Sequence, residues 1–125
     1  MAKKVCITGV YGLLGQNLVK VFSSAGYDVS GIDLLTEPQT QNGLSSYYKA
    51  DITDEKTITP LLRSINPDIC INTAALTNVD LCETERAKAE ALNGFSVGYM
   101  AKAVSSNCQF VQISTDYVFD GLNGP

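Results

Sequence analysis

Three glycines, Gly9, Gly12 and Gly15, recur at a strict spacing of three near the start of this 125-residue chain. They lie in "ITGVYGLLG", between the apolar run Val5, Cys6, Ile7 and an apolar helical pattern. A glycine turn from strand into helix lets the backbone come close to a pyrophosphate. The helix N-terminus adds unpaired N–H groups and a partial positive charge. Asp33 closes the next strand-like run, 18 residues after Gly15. A carboxylate there accepts hydrogen bonds from an adenosine ribose and repels a 2′-phosphate, which favours NAD over NADP. A glycine trio alone is weak evidence, and the competing reading is a glycine-rich turn under another ligand or none. Strand, helix and Asp33 in the right order favour the dinucleotide.

The elements that must position these groups alternate. "KKVCIT" reads as a first strand. A helix follows from Gly12, with Leu14, Leu18, Val21, Phe22 and Ala25 on one face and Gly26 as its C-cap. "YDVSGID" and "SSYYKA" are the second and third strands, separated by a polar loop over 34–44. A second helix spans 54–66 but contains Pro60, so either Thr59 caps a shorter helix or the helix kinks. Asp51 and Asp54 also admit a plain reading, as turn and helix-capping carboxylates. "PDICINTAA" is a fourth strand, apolar throughout as a strand buried on both faces would be. A third helix runs over 83–106, where Ala87, Ala91, Gly94, Gly98, Ala101 and Ser105 form a stripe of small residues. That stripe predicts close packing on the sheet or on another helix. "CQFVQIS" is the fifth strand. The alternation predicts an α/β, Rossmann-type, doubly wound parallel sheet in the order 3-2-1-4-5, truncated after strand 5.

Composition narrows the class. Apolar residues make up 45% and charged residues 18%, as in a globular domain. A net charge of −4 argues against a nucleic-acid partner. No apolar run approaches the roughly 20 residues of a membrane span, and no signal-peptide pattern opens the chain. The four cysteines, Cys6, Cys70, Cys82 and Cys108, form no CxxC, and no histidine is present to complete a zinc site. They read as small buried hydrophobes in a reducing cytoplasm.

With these residues assembled, the sequence resembles the extended short-chain dehydrogenase/reductase superfamily, whose glycine spacing is Gly-x-x-Gly-x-x-Gly. "INTAALTNVDLCE" (71–83), "PDICIN", Asn93 in "AEALN" and above all "ISTDYVFDG" (113–121) narrow the likeness to the dTDP-4-dehydrorhamnose reductase family. The resemblance covers the whole chain. It implies that Gly9, Tyr11, Gly12, Leu13, Leu14 and Gly15 cradle the pyrophosphate of NAD(H) or NADP(H). It implies Asp33 at the adenosine ribose, Asp51 and Ile52 beside the adenine, and Ala74, Ala75 and Leu76 on the nicotinamide side. Thr115 matches the catalytic hydroxyl that binds the substrate carbonyl, and Asp116 and Tyr117 flank the sugar-nucleotide pocket. Tyr11 departs from the small or polar residue usual in this loop, and Leu76 from the usual tyrosine.

The superfamily's Tyr-x-x-x-Lys pair is the largest departure. None of the tyrosines in the 125 residues has lysine four positions later. Ketone reduction needs a hydride donor and an acid for the developing alkoxide. These residues are therefore expected to bind cofactor and to catalyse little alone. Three functions stay open: the N-terminal part of an NAD(P)H-dependent sugar-nucleotide reductase; a non-catalytic regulator resembling the β subunit of methionine adenosyltransferase; or another extended reductase or epimerase. The fifth strand is expected to present an apolar edge, so the chain is expected to dimerise or aggregate.

Overall fold

The computed structural model describes residues 1–36, 43–114 and 121–122. Its strands are β1 (Lys4–Thr8), β2 (Asp28–Asp33), β3 (Ser46–Lys49), β4 (Ile69–Asn72) and β5 (Gln109–Gln112). All pair in parallel in one sheet of order β3-β2-β1-β4-β5, as the alternation of elements requires. Successive side chains on a strand point to opposite faces, and two apolar clusters result. Val5, Ile7, Val29 and Ile71 meet Val19 of helix α1 (Leu13–Ser24) on one face. Cys6, Ile32 and Cys70 meet Ile58, Leu62 and Ile65 of helix α2 (Glu55–Ile65) on the other.

Helix α1 is rotated from its expected face. Gly15 and Val19 are buried and Leu18 and Phe22 half-buried, whereas Val21 is 63% exposed and Leu14 and Ala25 are exposed too, Leu14 at the sheet edge. The cause is Gly15: it lies against the backbone of Gly9 and Val10, and that contact fixes the rotation of the whole helix.

Helix α2 begins at Asp54, not at Thr59. The Asp54 carboxylate accepts from the Lys56 amide at 3.2 Å and from the Thr57 hydroxyl at 2.6 Å. Pro60 lies within the helix. It occupies the exposed side, as does Lys56, whose carbonyl loses its i+4 donor. That side of the helix is open to solvent, and the helix passes through the proline.

The expected third helix is four pieces. Helix α3 (Val79–Thr84) starts at Asn78, whose side chain accepts from the Leu81 amide at 3.1 Å. Helix α4 (Arg86–Glu90) runs into a π turn over Ala91–Phe95 and then into helix α5 (Ser96–Ala103). The stripe of small residues is not a packing seam. A Cβ placed on Gly94 or Gly98 meets nothing within 4 Å. The buried face is Ser96, Met100 and Ala103 instead. The π turn inserts extra backbone and shifts the phase of everything after it, a change that even spacing in the sequence does not reveal.

All four cysteines are free thiols. Cys6 and Cys70 are buried opposite one another on β1 and β4. A hydrogen bond that the Cys6 thiol donates to Cys70, together with burial, pushes the Cys6 thiol well above its ordinary range. These two are core residues, as expected, while Cys82 and Cys108 are only half-buried. Among the described residues, no helix is long and apolar enough to cross a membrane.

Candidate functional site

The C-terminal ends of β1, β2 and β4 lie along one edge of the sheet. The chain runs from β1 toward β2 on one side, and β4 flanks β1 on the other. This reversal is where open α/β sheets form their ligand crevice. A cavity of about 520 Å³ lies here, lined by Gly9, Gly12, Leu13, Leu14, Ile32, Asp33, Leu34, Ala50, Asp51, Ile52, Thr73, Ala74, Ala75, Thr77 and Leu92.

Its floor is glycine backbone. Gly9 has a φ of +66°, a left-handed conformation, and its amide donates to the Ile32 carbonyl at 2.9 Å. A Cβ on Gly9 would stand 2.7 Å from the Thr73 hydroxyl and 2.9 Å from the Ala74 amide nitrogen. On Gly15 it would stand 2.3 Å from the Gly9 carbonyl oxygen. Gly12 occupies the N-cap of α1, and no side chain caps that end. The Gly12 amide donates to the Gly9 carbonyl at 3.0 Å, and the next two residues, Leu13 and Leu14, whose amides no intrahelical carbonyl can satisfy, line the cavity. The first turn holds no acidic residue, so its partial positive charge is left for an anion.

Asp33 closes the cavity at the end of β2. One carboxylate oxygen accepts from the Tyr11 amide at 2.9 Å and the other from the Leu34 amide at 2.8 Å. Asp51 accepts from the amide and hydroxyl of Thr53, at 2.9 and 2.7 Å, which holds the turn carrying Ile52 against the cavity.

The opposite lip is built on buried polar groups. Thr8 and Asn72, both fully buried, share a hydrogen bond across β1 and β4, with the Thr8 hydroxyl donating. Asn72 donates to the Gln112 side chain on β5 at 2.8 Å and accepts from the Ala74 amide at 3.2 Å. The Thr73 hydroxyl donates to the Thr8 carbonyl at 2.7 Å. Asn93, in the π turn, grips Leu76 at two points: it accepts from the Leu76 amide at 2.8 Å and donates to the Leu76 carbonyl at 3.0 Å. Beyond this lip lies a second cavity of about 560 Å³, which shares Ala75 and Thr77 with the first and adds Leu76, Cys82, Asn93, Gln112 and Ser114.

The fold thus gathers Gly9, Gly12, Leu13, Leu14, Asp33, Asp51, Ile52, Ala74 and Ala75 around one cavity. Three other residues expected at the cofactor do not line it. Tyr11 turns its ring onto Tyr47, Gly15 serves the packing of α1, and Leu76 lines the second cavity. Thr115, Asp116 and Tyr117 lie outside the described residues. Sequence reading passed over Thr8, Asn72 and Thr73. Their available signal was Asn72 itself, a polar residue ending an apolar run read as buried on both faces.

A parallel sheet in this order defines a Rossmann-type domain. Residues 3–124 match the family described as the RmlD substrate binding domain, and the chain belongs to that family. It is 37% identical over 119 residues to the spore coat polysaccharide biosynthesis protein SpsK of Bacillus subtilis, covering 94% of this chain and 38% of that protein. It is 34% identical over 120 residues to the dTDP-4-dehydrorhamnose reductase of Aggregatibacter actinomycetemcomitans, covering 94% and 36%. The crystal structure of dTDP-4-dehydrorhamnose reductase from Bacillus anthracis in complex with NADP superposes with a TM-score of 0.78 at 33% identity, over 98% of this chain and 40% of that one. Methionine adenosyltransferase 2 subunit beta of Danio rerio is 29% identical over 123 residues, covering 98% and 36%. The chain therefore spans well under half the length of these relatives.

Proposed function

We propose that this chain is the cofactor-binding part of an NAD(P)H-dependent reductase acting on a nucleotide-linked keto-sugar. The observation that carries the reading is the convergence of the glycine floor, the uncapped N-terminus of α1 and Asp33 on one cavity. The residues present fit a dinucleotide. Any side chain on Gly9 would collide with Thr73 and Ala74, and the uncapped amides and the carboxylate suit a pyrophosphate and a ribose diol respectively.

Bound here, the reduced nicotinamide supplies a hydride. The α1 amides hold the pyrophosphate, and Asp33 accepts from the adenosine ribose, which favours NADH over NADPH. Ile52 and Asp51 face the adenine, and Ala74 and Ala75 border the nicotinamide. The second cavity, beyond Leu76, receives the sugar. Thr115 donates to the substrate carbonyl, with Asp116 and Tyr117 at the sugar nucleotide. The acid that protonates the alkoxide comes from a Tyr-x-x-x-Lys pair outside these 125 residues. By likeness to the reductases, the substrate is the 4-keto group of dTDP-4-dehydrorhamnose and the product dTDP-rhamnose.

Titration with each reduced dinucleotide, followed by its fluorescence, tests the first half of this reading. Loss of reduced-nicotinamide absorbance when dTDP-4-dehydrorhamnose is added to the parent polypeptide tests the second. Dinucleotide binding without turnover, together with capture of a methionine adenosyltransferase catalytic subunit, would favour the regulatory reading that the 29% identity to the β subunit keeps open.

A further inference from the structure

Tyr11 stands in the glycine loop but contributes nothing to the cavity wall. Its ring lies tilted on the ring of Tyr47, with centroids 5.2 Å apart and planes at 48°. Tyr47 is itself fixed: its hydroxyl donates to the Leu35 carbonyl at 2.6 Å, and its ring packs on the apolar cluster that holds Val10 and Val19. Burial, then the nearby Asp33 carboxylate and Tyr11, push the Tyr47 hydroxyl above its ordinary range. The backbone of the same Tyr11 donates to the Asp33 carboxylate. Ring and amide thus act at opposite ends of one residue, tying the glycine loop to β3 and the carboxylate to the loop.

The charge around Asp33 completes the picture. Each of its oxygens accepts one backbone amide, which leaves a lone pair on each for a hydroxyl donor. The described residues between Leu34 and Tyr48 include no lysine or arginine. Lys49, opposite Asp33 in the β2–β3 register, donates instead to the Thr36 hydroxyl at 3.1 Å. Among the described residues no cation pairs with Asp33. A pinned carboxylate with free lone pairs and no neutralising cation accepts a 2′,3′-diol and repels a 2′-phosphate.

We propose that Tyr11 is a positioning residue for cofactor selection: stacked on Tyr47, it holds the loop so that its amide fixes Asp33 in the orientation that receives an unphosphorylated ribose. This rests on the dinucleotide reading above. The test is a pair of dissociation constants, for NADH and NADPH, in the unaltered protein and in variants checked for folding by circular dichroism. The unaltered protein binds NADH more tightly. Tyr11→Ser lowers the NADH-to-NADPH preference about tenfold, the scale of one hydrogen bond to a charged group, mainly by weakening NADH. Tyr11→Phe, which keeps the ring on Tyr47 and the amide on Asp33, shifts the ratio less than Tyr11→Ser.

A folded Tyr11→Ser protein with an unchanged ratio overturns the role of Tyr11 and leaves the dinucleotide reading intact. Tighter binding of NADPH by the unaltered protein does the same. Binding of neither dinucleotide by the folded protein removes both. Should Tyr11→Ser not fold, Tyr47→Leu keeps the core filled while removing the ring that Tyr11 leans on. It must shift the ratio in the same direction, and an unchanged ratio there overturns the proposal.

Discussion

The two sides of the crevice are built differently. On the β1–α1–β2 side, backbone touches backbone: Gly9 and Gly15 approach so closely that no side chain fits, and Asp33 is held by two amides. On the side that runs from Thr73 to Phe95, side chains hold the main chain. Thr73, Asn72 and Asn93 fasten the lip, and beyond it Gly94 and Gly98 face open space while Phe95 is 61% exposed. On the proposed reading, the first side would hold the part of a dinucleotide that does not change during a reaction, and the second would border the space where substrate enters.

Substitutions can break this contrast. Gly15→Ala should have the largest effect, because its Cβ would meet the Gly9 carbonyl oxygen and the Val10 backbone, which cannot swing aside. A loss of at least about 3 kcal/mol is expected, read as a drop in the urea midpoint. Wild-type stability in that variant would show that the glycine floor is not close-packed.

Asn93→Ala removes both grips on Leu76 and should cost about 1 kcal/mol, since the pair is partly solvated. The sharper readout is hydrogen exchange: the Leu76 amide should lose protection while Gly9, bonded to Ile32, keeps it. Equal loss at both amides would mean that the two sides respond as one body.

Gly98→Ala should have the smallest effect and the opposite sign. An added methyl meets nothing, and alanine favours the helix, so stability should rise by ~1 kcal/mol. A fall in melting temperature would reveal a close neighbour for α5.

The contrast also explains what could be read from sequence. The fold order and the glycine floor were legible because strand–helix alternation and glycine spacing are local signals with few structural solutions. Asp33 was legible because it had to end a strand. The rotation of α1 was not, since it answers to a backbone contact at Gly15 rather than to where apolar side chains fall. Nor was the outward face of Gly94 and Gly98, which depends on a π turn. Pro60 left two readings open for a related reason. Part of its cost in a helix depends on whether the orphaned carbonyl is buried, and exposure is a tertiary property.

The contact between Gly9 and Thr73 bears on the order of events as the chain is made. Residues 64 positions apart meet at the cavity floor, and Leu92 completes its wall. A nascent chain that has emerged only through β3 holds the glycine loop and Asp33 and still has no cavity. The cavity forms only when β4 docks beside β1 and the residues out to Leu92 fold over the loop. Such non-local closure is slow relative to helix formation, and from that moment a bound dinucleotide would stabilise the very contact that created its site.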